Sequence, residues 1–323
     1  MECPRLNHFV RLNPNGTVSR CGHMIKPAQF ATYDDLNNSS WLHTIKTQFA
    51  NDEWPEECIR CKLLEESGNK SLRNNSLDLH IKQTRDDYLI VGGVLDNICN
   101  SACIMCSENL STKIGSLTSK NYPIIDNTNP FKQLPQDRIV QLDINGGEPS
   151  ASKNYKRLLN NLPPNLKSLR VNTNCAIILD ELVDISNRGI DVTVTVSFDG
   201  IDKVHDYIRW PIPYDKFIKN LMVYKSMPVN LNLWTTVSAL NIGNLKSIFE
   251  FVNNNGFNHS WALLSRPDEL NVKYKNWLTL SADVPDCLLN QVAVADDNSD
   301  SLSAFLTAQD AKRNITYKDY YEV

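Results

Sequence analysis

The sequence lacks the features that mark membrane, secreted and nucleic-acid-binding proteins. No apolar run is as long as a membrane-spanning helix, and the N-terminus shows no charged segment followed by an apolar one. There is no block of lysine and arginine, and the net charge is −4, so we expect no membrane partner and no broad nucleic-acid surface. Only 12 of 323 residues are glycine, and 41% are hydrophobic, which is typical of a soluble globular protein.

Cysteine, in contrast, is abundant. The chain has nine cysteines, and without a secretory signal they indicate metal chemistry in a reducing compartment rather than a disulfide framework. We therefore expect a cytoplasmic protein. Three cysteines lie in one central loop and four lie near the N-terminus, while Cys175 and Cys287 stand apart.

The central loop reads Cys99-Asn-Ser-Ala-Cys103-Ile-Met-Cys106. This spacing allows one loop to turn three thiolates toward a common point, as a cuboidal iron–sulfur cluster requires. A ferredoxin-type cluster is normally held by four cysteines, so a set of three leaves one iron open for another ligand. The alternative is a zinc site, although zinc sites are usually built from CxxC pairs and close with four ligands.

Apolar, β-branched runs begin just before this loop and continue through the middle of the chain. Stretches with helical spacing separate most of them, which predicts βαβ units, a parallel sheet and an α/β fold. The six predicted strands are Leu89–Leu95, Ile139–Ile144, Ser168–Thr173, Ile190–Phe198, Val229–Val237 and Ser260–Leu264. Six strands are too few for a closed eight-stranded barrel.

Candidate functional motifs follow the C-terminal ends of these strands, where barrel-type folds place their active sites. Two adjacent glycines allow the backbone to approach a ligand closely, and the carbonyl groups of such a turn accept hydrogen bonds from an ammonium group. An arginine holds a carboxylate in a fixed, two-pronged orientation. After the cysteine loop, the motifs are Asn145-Gly-Gly-Glu-Pro149, Asn172-Thr-Asn174-Cys175, Ser197-Phe-Asp-Gly200 and Val204-His-Asp-Tyr-Ile-Arg209.

Together these motifs resemble those of the radical S-adenosylmethionine (SAM) enzymes, including the CxxxCxxC signature and the GGEP turn. The resemblance implies a partial (β/α)6 barrel in which the catalytic residues Cys99, Cys103 and Cys106 hold a 4Fe–4S cluster whose open iron binds SAM. It also implies that the GGEP turn holds the amino group of SAM and that Arg209 holds its carboxylate. The residues that the resemblance assigns to SAM are Met105, Gly146, Gly147, Glu148, Asn174, Ser197 and Arg209.

The N-terminal segment holds a second cysteine set, formed by Cys3, Cys21, Cys58 and Cys61. The turn signal Asn13-Pro-Asn-Gly16 predicts a hairpin that brings Cys3 and Cys21 together, and the spacing from Trp41 to Phe49 predicts a helix. Four cysteines form a closed site that fits structural zinc or a second iron–sulfur cluster. The layout resembles the auxiliary-cluster segment of SPASM and twitch radical SAM proteins, which favours a 4Fe–4S cluster, although in those families the segment follows the barrel.

The chain is predicted to divide into three parts. Residues 1–84 form the cysteine-rich auxiliary segment, 85–265 the partial barrel, and 266–323 a C-terminal extension that closes the open side of the barrel. Polar residues from 69 to about 87 predict a linker or a surface segment. In the extension, Ser281–Asn290 and Ser303–Arg313 are predicted to be helical.

Four residues near these motifs receive simpler interpretations. Asp199 is expected to cap the next turn, and His205 to be solvated on a polar helix. Cys175 is expected to be a small buried residue. Cys287 is expected to be buried and inert, with a hydrogen donor to a substrate radical as the alternative.

The resemblance implies an enzyme that cleaves SAM reductively to a 5′-deoxyadenosyl radical, which removes hydrogen from a substrate. An external electron donor such as a flavodoxin or ferredoxin would supply the electron. A peptide or protein residue is the favoured substrate, with a small metabolite, sugar or nucleotide as the alternative. The competing class is a non-catalytic module that binds zinc or an iron–sulfur cluster.

Overall fold

The computed structural model describes residues 1–81, 86–118, 122 and 124–321, and its centre is an eight-stranded sheet. The strands are β1 (Phe9–Leu12), β2 (Val18–Ser19), β3 (Leu89–Val94), β4 (Ile139–Asn145), β5 (Ser168–Thr173), β6 (Asp191–Ser197), β7 (Asn230–Val237), β8 (Asn258–Leu263), β9 (Tyr274–Lys275) and β10 (Ala295–Asp297). The sheet has the order β2-β1-β3-β4-β5-β6-β7-β8, and only β2 runs antiparallel to its neighbour. Strands β9 and β10 form a separate parallel pair.

Helices connect most of the parallel strands, as right-handed crossovers require. In the described residues they are α1 (Arg5–His8), α2 (Tyr33–Asn37), α3 (Ser40–Ala50), α4 (Ile59–Glu66), α5 (Leu72–Ile81), α6 (Thr112–Thr118), α7 (Thr128–Lys132), α8 (Lys153–Asn160), α9 (Glu181–Asn187), α10 (Asp202–Ile208), α11 (Tyr214–Ser226), α12 (Leu245–Asn254), α13 (Trp277–Ser281) and α14 (Ser299–Arg313). None of the helices in this part of the chain is long and apolar enough to cross a membrane.

The predicted α/β fold with six parallel strands is confirmed, and the strands correspond to β3 through β8. Burial alternates along them: in β4, Val140, Leu142 and Ile144 are buried while the residues between them are partly exposed. The buried face packs under the helices, where each fully buried aliphatic side chain contributes about 1.5–3 kcal/mol. The opposite face forms the inside of the partial barrel. Its polar residues are thereby placed around the interior.

The N-terminal hairpin is present as predicted, but it belongs to the same sheet as the barrel. Strand β1 pairs in parallel with β3, with Val10 opposite Val91 and Arg11 opposite Gly92. Val10 and Leu12 are fully buried in the main core, which explains why the hairpin docks there. The cysteine-rich segment thus contributes two strands to the sheet.

The predicted linker contains helix α5, which follows a polar stretch with little helical periodicity. Arg73 on this helix forms an ion pair with the Glu65 side chain, and Glu65 also accepts a hydrogen bond from Ser71 at 2.5 Å. Local pairing of side chains, rather than an apolar face, therefore supports the helix. The predicted boundary between 84 and 85 lies outside the described residues.

The C-terminal extension differs in part from the prediction. Residues Asp286–Gln291 form a 3₁₀ segment rather than an α-helix, and the α-helix nearby is the short α13. Helix α14 covers the second predicted helix, and its Leu302 and Leu306 are fully buried. These leucines share a core cluster with Ile104 of the cysteine loop, so the extension packs against the predicted site.

Candidate active site

The three-cysteine loop follows β3 at its C-terminal end. Two backbone hydrogen bonds attach it to the segment after α10, from the Ala102 N–H to the Trp210 carbonyl (2.8 Å) and from the Ile104 N–H to the Ile208 carbonyl (3.0 Å). Packing against α14 covers the other side of Ile104. Residues distant in sequence therefore hold the loop on both sides of Cys103.

The thiols of this loop surround a small polar group. The Ser101 hydroxyl lies 3.4 Å from the Sγ atoms of both Cys99 and Cys103. Cys103 is buried and Cys106 is exposed. Burial and the neighbouring Cys103 raise the pKa of the Cys99 thiol.

The Gly-Gly-Glu-Pro turn packs directly on the loop that leads to the cysteines. Gly146 and Gly147 have φ angles of +97° and +54°, a region that favours glycine. A Cβ on Gly147 would lie 2.2 Å from the Ile98 carbonyl oxygen, and one on Gly146 would lie 2.4 Å from Val94. These glycines thus permit the turn to approach the cysteine loop closely.

Glu148 anchors the same turn to the loop after β5. It is buried, and its carboxylate accepts hydrogen bonds from the Thr173 hydroxyl (2.7 Å), the Ser150 hydroxyl (2.6 Å) and the Asn174 N–H (2.7 Å). Burial raises the pKa of this carboxyl group, and these donors oppose that effect. The side chain is therefore engaged with the protein, and its evident role is to position neighbouring groups.

Asn174 extends this network to the cysteine loop. Its Nδ2 donates to Asn100 Oδ1 at 2.8 Å and to the Ser101 hydroxyl at 3.2 Å. The next residue, Cys175, is fully buried in the core, as predicted, and adopts a φ of +62°. The loops after β3, β4 and β5 are consequently joined through Glu148 and Asn174.

Asp199 does not cap a turn, because helix α10 begins without a side-chain cap. Its carboxylate instead forms an ion pair with Arg209 and accepts a 2.7 Å hydrogen bond from the Thr236 N–H. The Nη1 of Arg209 lies 3.6 Å from the Sγ of Cys103. Asp199, which was expected to cap a turn, thus orients Arg209, the arginine predicted to bind SAM.

The cysteine loop, the Gly-Gly-Glu-Pro turn, Asn174 and Arg209 border one cavity of about 360 Å³, a size that suits a small ligand. Every residue predicted for the barrel site lines it: Cys99, Cys103, Met105, Cys106, Gly146, Gly147, Glu148, Asn174, Ser197 and Arg209. Sequence reasoning did not assign the lining residues Ser101, Asn145 and Thr173. Asn145 directly follows one predicted strand and Thr173 ends another, which was an available signal.

The lining fits a cofactor with several hydrogen-bonding groups. Asn145 Oδ1 is buried and has no hydrogen-bond partner among the described residues, which leaves an acceptor at the cavity wall. Three thiols and a guanidinium line the same space. Across residues 1–81, 86–118, 122 and 124–321, no group of three or more His, Cys, Asp or Glu side chains has a geometry that could hold a metal ion.

The four N-terminal cysteines surround a second, much smaller cavity, beside Leu6, Phe49 and Trp54. Burial raises the pKa of Cys3 to about 12, and the neighbouring Cys21 adds to this effect. His23, which was not assigned as a ligand, lies at the same cavity, and burial lowers its pKa. The structure therefore brings the predicted set together within one apolar cluster.

Two other predictions are wrong. His205 is fully buried rather than solvated, because its ring packs 4.4 Å from that of Phe217. Cys287 is exposed rather than buried, and it lies in the 3₁₀ segment of the C-terminal extension.

The chain was also compared with known proteins. No family model matches it. The sporulation killing factor maturation protein SkfB of Bacillus subtilis is 25% identical over 134 residues, which is 41% of this chain and 32% of SkfB. The chain thus spans about a third of the length of this curated relative.

Solved structures give partial matches. The protein anSMEcpe, solved with bound AdoMet and the Kp18Cys peptide, is 16% identical, with 54% of this chain and 51% of that chain covered and a TM-score of 0.42. Streptococcus suis SuiB, solved with its precursor peptide SuiA, is 13% identical, with 96% and 70% covered and a TM-score of 0.44.

The sequence match and the motifs point to the same family. The CxxxCxxC loop and the GGEP turn meet with Ser197 and Arg209 in one cavity at the C-terminal end of a parallel sheet. A second cysteine set occupies the N-terminal segment. With the match to SkfB, these features make the chain similar to proteins of the radical SAM superfamily.

Proposed function

We propose that this protein is a radical SAM enzyme that modifies a residue of a peptide or protein. The observation that carries the proposal is the single cavity lined by three cysteines and by every residue that the motifs assign to SAM. The peptide substrate is supported by the match to SkfB, which is a maturation protein for a killing factor.

In this proposal, Cys99, Cys103 and Cys106 hold a 4Fe–4S cluster and leave one iron open for SAM. With both bound, one electron from an external donor such as a flavodoxin or ferredoxin would allow the cluster to cleave SAM to methionine and a 5′-deoxyadenosyl radical, which would take a hydrogen atom from the substrate. The protein supplies orientation and excludes water. Arg209, held by Asp199, provides a charged donor beside the cysteines.

The residues that join the strand-end loops maintain this arrangement. Glu148 and Asn174 connect the GGEP turn, the loop after β5 and the cysteine loop through buried hydrogen bonds. Their contacts reach Ile98, Asn100 and Ser101, which flank Cys99 in the cysteine loop. We assign both to positioning, and we assign Gly146 and Gly147 to the close approach of the turn.

We propose an auxiliary 4Fe–4S cluster at the N-terminal cysteines rather than zinc. All four line one cavity, together with apolar residues that exclude water. Iron and zinc analysis of the C99A/C103A/C106A variant tests this separately from the barrel site. The expected result is about four irons per chain after anaerobic reconstitution, and zinc without iron would overturn it.

SAM cleavage tests the activity. Anaerobically reconstituted protein with dithionite is expected to release 5′-deoxyadenosine from SAM, and the C99A/C103A/C106A variant to release none. The C287A variant is the matched control, because Cys287 lies outside the cavity lining and is expected to retain activity. Fully iron-loaded wild-type protein that releases no 5′-deoxyadenosine, even with peptides present, would overturn the proposal.

A further inference from the structure

A larger cavity of about 910 Å³ lies between the two cysteine sites. It shares Ser107, Leu110 and Gly146 with the three-cysteine cavity, and Arg5 and Leu72 with the N-terminal cysteine cavity. Its floor is the inner face of β1, β3, β4 and β5. The space therefore borders the proposed SAM site directly and is large enough for several peptide residues.

Charged residues form a row across this floor. Arg11 on β1 lies opposite Gly92 on β3, which in turn lies opposite Asp143 on β4. Arg170 on β5 and Arg5 are close enough to Asp143 that their charges lower its pKa, although burial raises it overall. Arg5, Arg11 and Arg170 thus share the lining of the cavity with the partly exposed carboxyl group of Asp143.

The positive charge in this cavity is not neutralised by partners. Within the described residues, Arg5, Arg11 and Arg170 form no ion pairs, and the Nε atoms of Arg5 and Arg11 are buried without hydrogen-bond partners. Arg5 is held by stacking on the Phe9 ring, 3.6 Å from its centroid. Buried donors without acceptors are costly, so the cavity favours an anionic ligand.

Other ionisable groups in the lining do not supply the missing charge. Asp78 is paired with Lys70 at 2.5 Å, so its carboxylate is already neutralised. The arginines therefore exceed the available carboxylates.

We propose that Arg5, Arg11 and Arg170 bind an acidic side chain of the peptide substrate. This inference rests on the proposed function and adds a substrate requirement to it. Asp143 and Asn145 are two residues apart on β4, so the arginine row lies about 7 Å from the wall of the SAM site. Two residues of an extended peptide span the same distance. The modified residue is thus expected within about two positions of an Asp or Glu.

Peptide binding tests the requirement without turnover. Two pools of pentapeptides are acetylated at the N-terminus and amidated at the C-terminus. One pool carries Asp or Glu at the central position, and the other carries Asn or Gln. Each pool is equilibrated with the full-length reconstituted protein and SAM without reductant, and bound peptides are quantified by mass spectrometry. Wild type is expected to retain the acidic pool at least tenfold better, because a guanidinium–carboxylate pair is charge-assisted.

Variants connect the preference to the arginines. The R11Q/R170Q variant is expected to lose the preference for acidic peptides, and R11K/R170K is expected to retain part of it. The exposed Arg157→Gln is the matched control and is expected to keep the preference. Should the double variant fail to fold, R170Q alone, at an exposed position of β5, is expected to reduce the preference.

Several results would overturn the inference. These are equal retention of both pools by wild type, a preference that survives in R11Q/R170Q, or binding of glucose 6-phosphate at the arginines in place of acidic peptides. If 5′-deoxyadenosine is released but no acidic preference is found, this inference fails alone. If no 5′-deoxyadenosine is released, the proposed function fails.

Discussion

Arg209 and Asp199 form an ion pair at the edge of the cysteine site, with Asp199 fully buried. Burial alone would lower the pKa of Arg209, but the carboxylate of Asp199 raises it overall, so the guanidinium remains charged. Because Asp199 also accepts a hydrogen bond from Thr236, it connects the arginine to β7. The orientation of Arg209 therefore depends on the strand beside it.

Replacement of Asp199 tests this dependence. D199A leaves a buried, unpaired guanidinium, so we expect a loss of about 3–5 kcal/mol in the free energy of unfolding and weaker SAM binding. Urea denaturation and equilibrium dialysis measure the two effects. The exposed Asp215→Ala is the control and is expected to change stability by less than about 0.5 kcal/mol. A loss below about 1 kcal/mol in D199A would contradict the assignment.

The GGEP turn offers a second test with a matched control. Gly147→Ala places a Cβ 2.2 Å from the Ile98 carbonyl, whereas Gly189→Ala, also at positive φ (+84°), meets nothing within 4 Å. Both substitutions carry a backbone cost of about 1–2 kcal/mol. Only G147A is expected to displace the cysteine loop and lower iron incorporation. Equal iron content in the two variants would show that the close approach is unimportant.

His205 is expected to make the protein sensitive to acid. Burial, together with the charge of Arg209, lowers the pKa of His205 to about 3, so the folded ring stays neutral while an unfolded ring accepts a proton below about pH 6.5. Stability is therefore lost as the pH falls from 6.5 toward 3. Through His205, the free energy of unfolding is expected to fall by about 2 kcal/mol between pH 6.5 and pH 4.5.

The variant His205→Phe removes this effect. Both ring nitrogens of His205 lack hydrogen-bond partners among the described residues, so a phenyl ring is expected to raise the melting temperature at pH 7 and to reduce the loss at pH 4.5. Thermal unfolding at both pH values measures the difference, with the exposed His43→Gln as control. An unchanged pH dependence in H205F would exclude this histidine as the cause.

The two isolated cysteines are expected to differ in reactivity. Cys287 is exposed, whereas Cys175 is fully buried and burial raises its pKa. In native protein at pH 8, iodoacetamide should modify Cys287 quickly and Cys175 only after denaturation. Peptide mass spectrometry distinguishes the sites. Fast labelling of Cys175 in native protein would show that the core opens readily.

The barrel strands, and the meeting of the candidate residues at one cavity, were predictable from sequence for a physical reason. Strands of a parallel sheet produce apolar runs, and their C-terminal ends share one edge, so motifs such as Asn145–Pro149 fall together. The roles of Asp199 and His205 were not predictable in this way. Each depends on a partner that only the folded chain brings near: Arg209 for Asp199, and Phe217 for His205.

The pairing of β1 with β3 was also beyond sequence reasoning, because an alternating pattern shows that a strand forms but not which strand it joins. Helix α5 was missed for a related reason. Only Ser76 among its residues is buried, so no apolar stripe marked it.

The parallel pairing of β1 with β3 also constrains the order in which the chain assembles. During synthesis, Phe9–Leu12 leaves the ribosome long before its partner strand, which begins at Leu89. Cys3 and Cys21 flank Phe9–Leu12, but every residue that lines their cavity lies between positions 3 and 73. The residues of the N-terminal cysteine site are therefore all synthesised before β3, whereas β1 joins the sheet only once β3 is present.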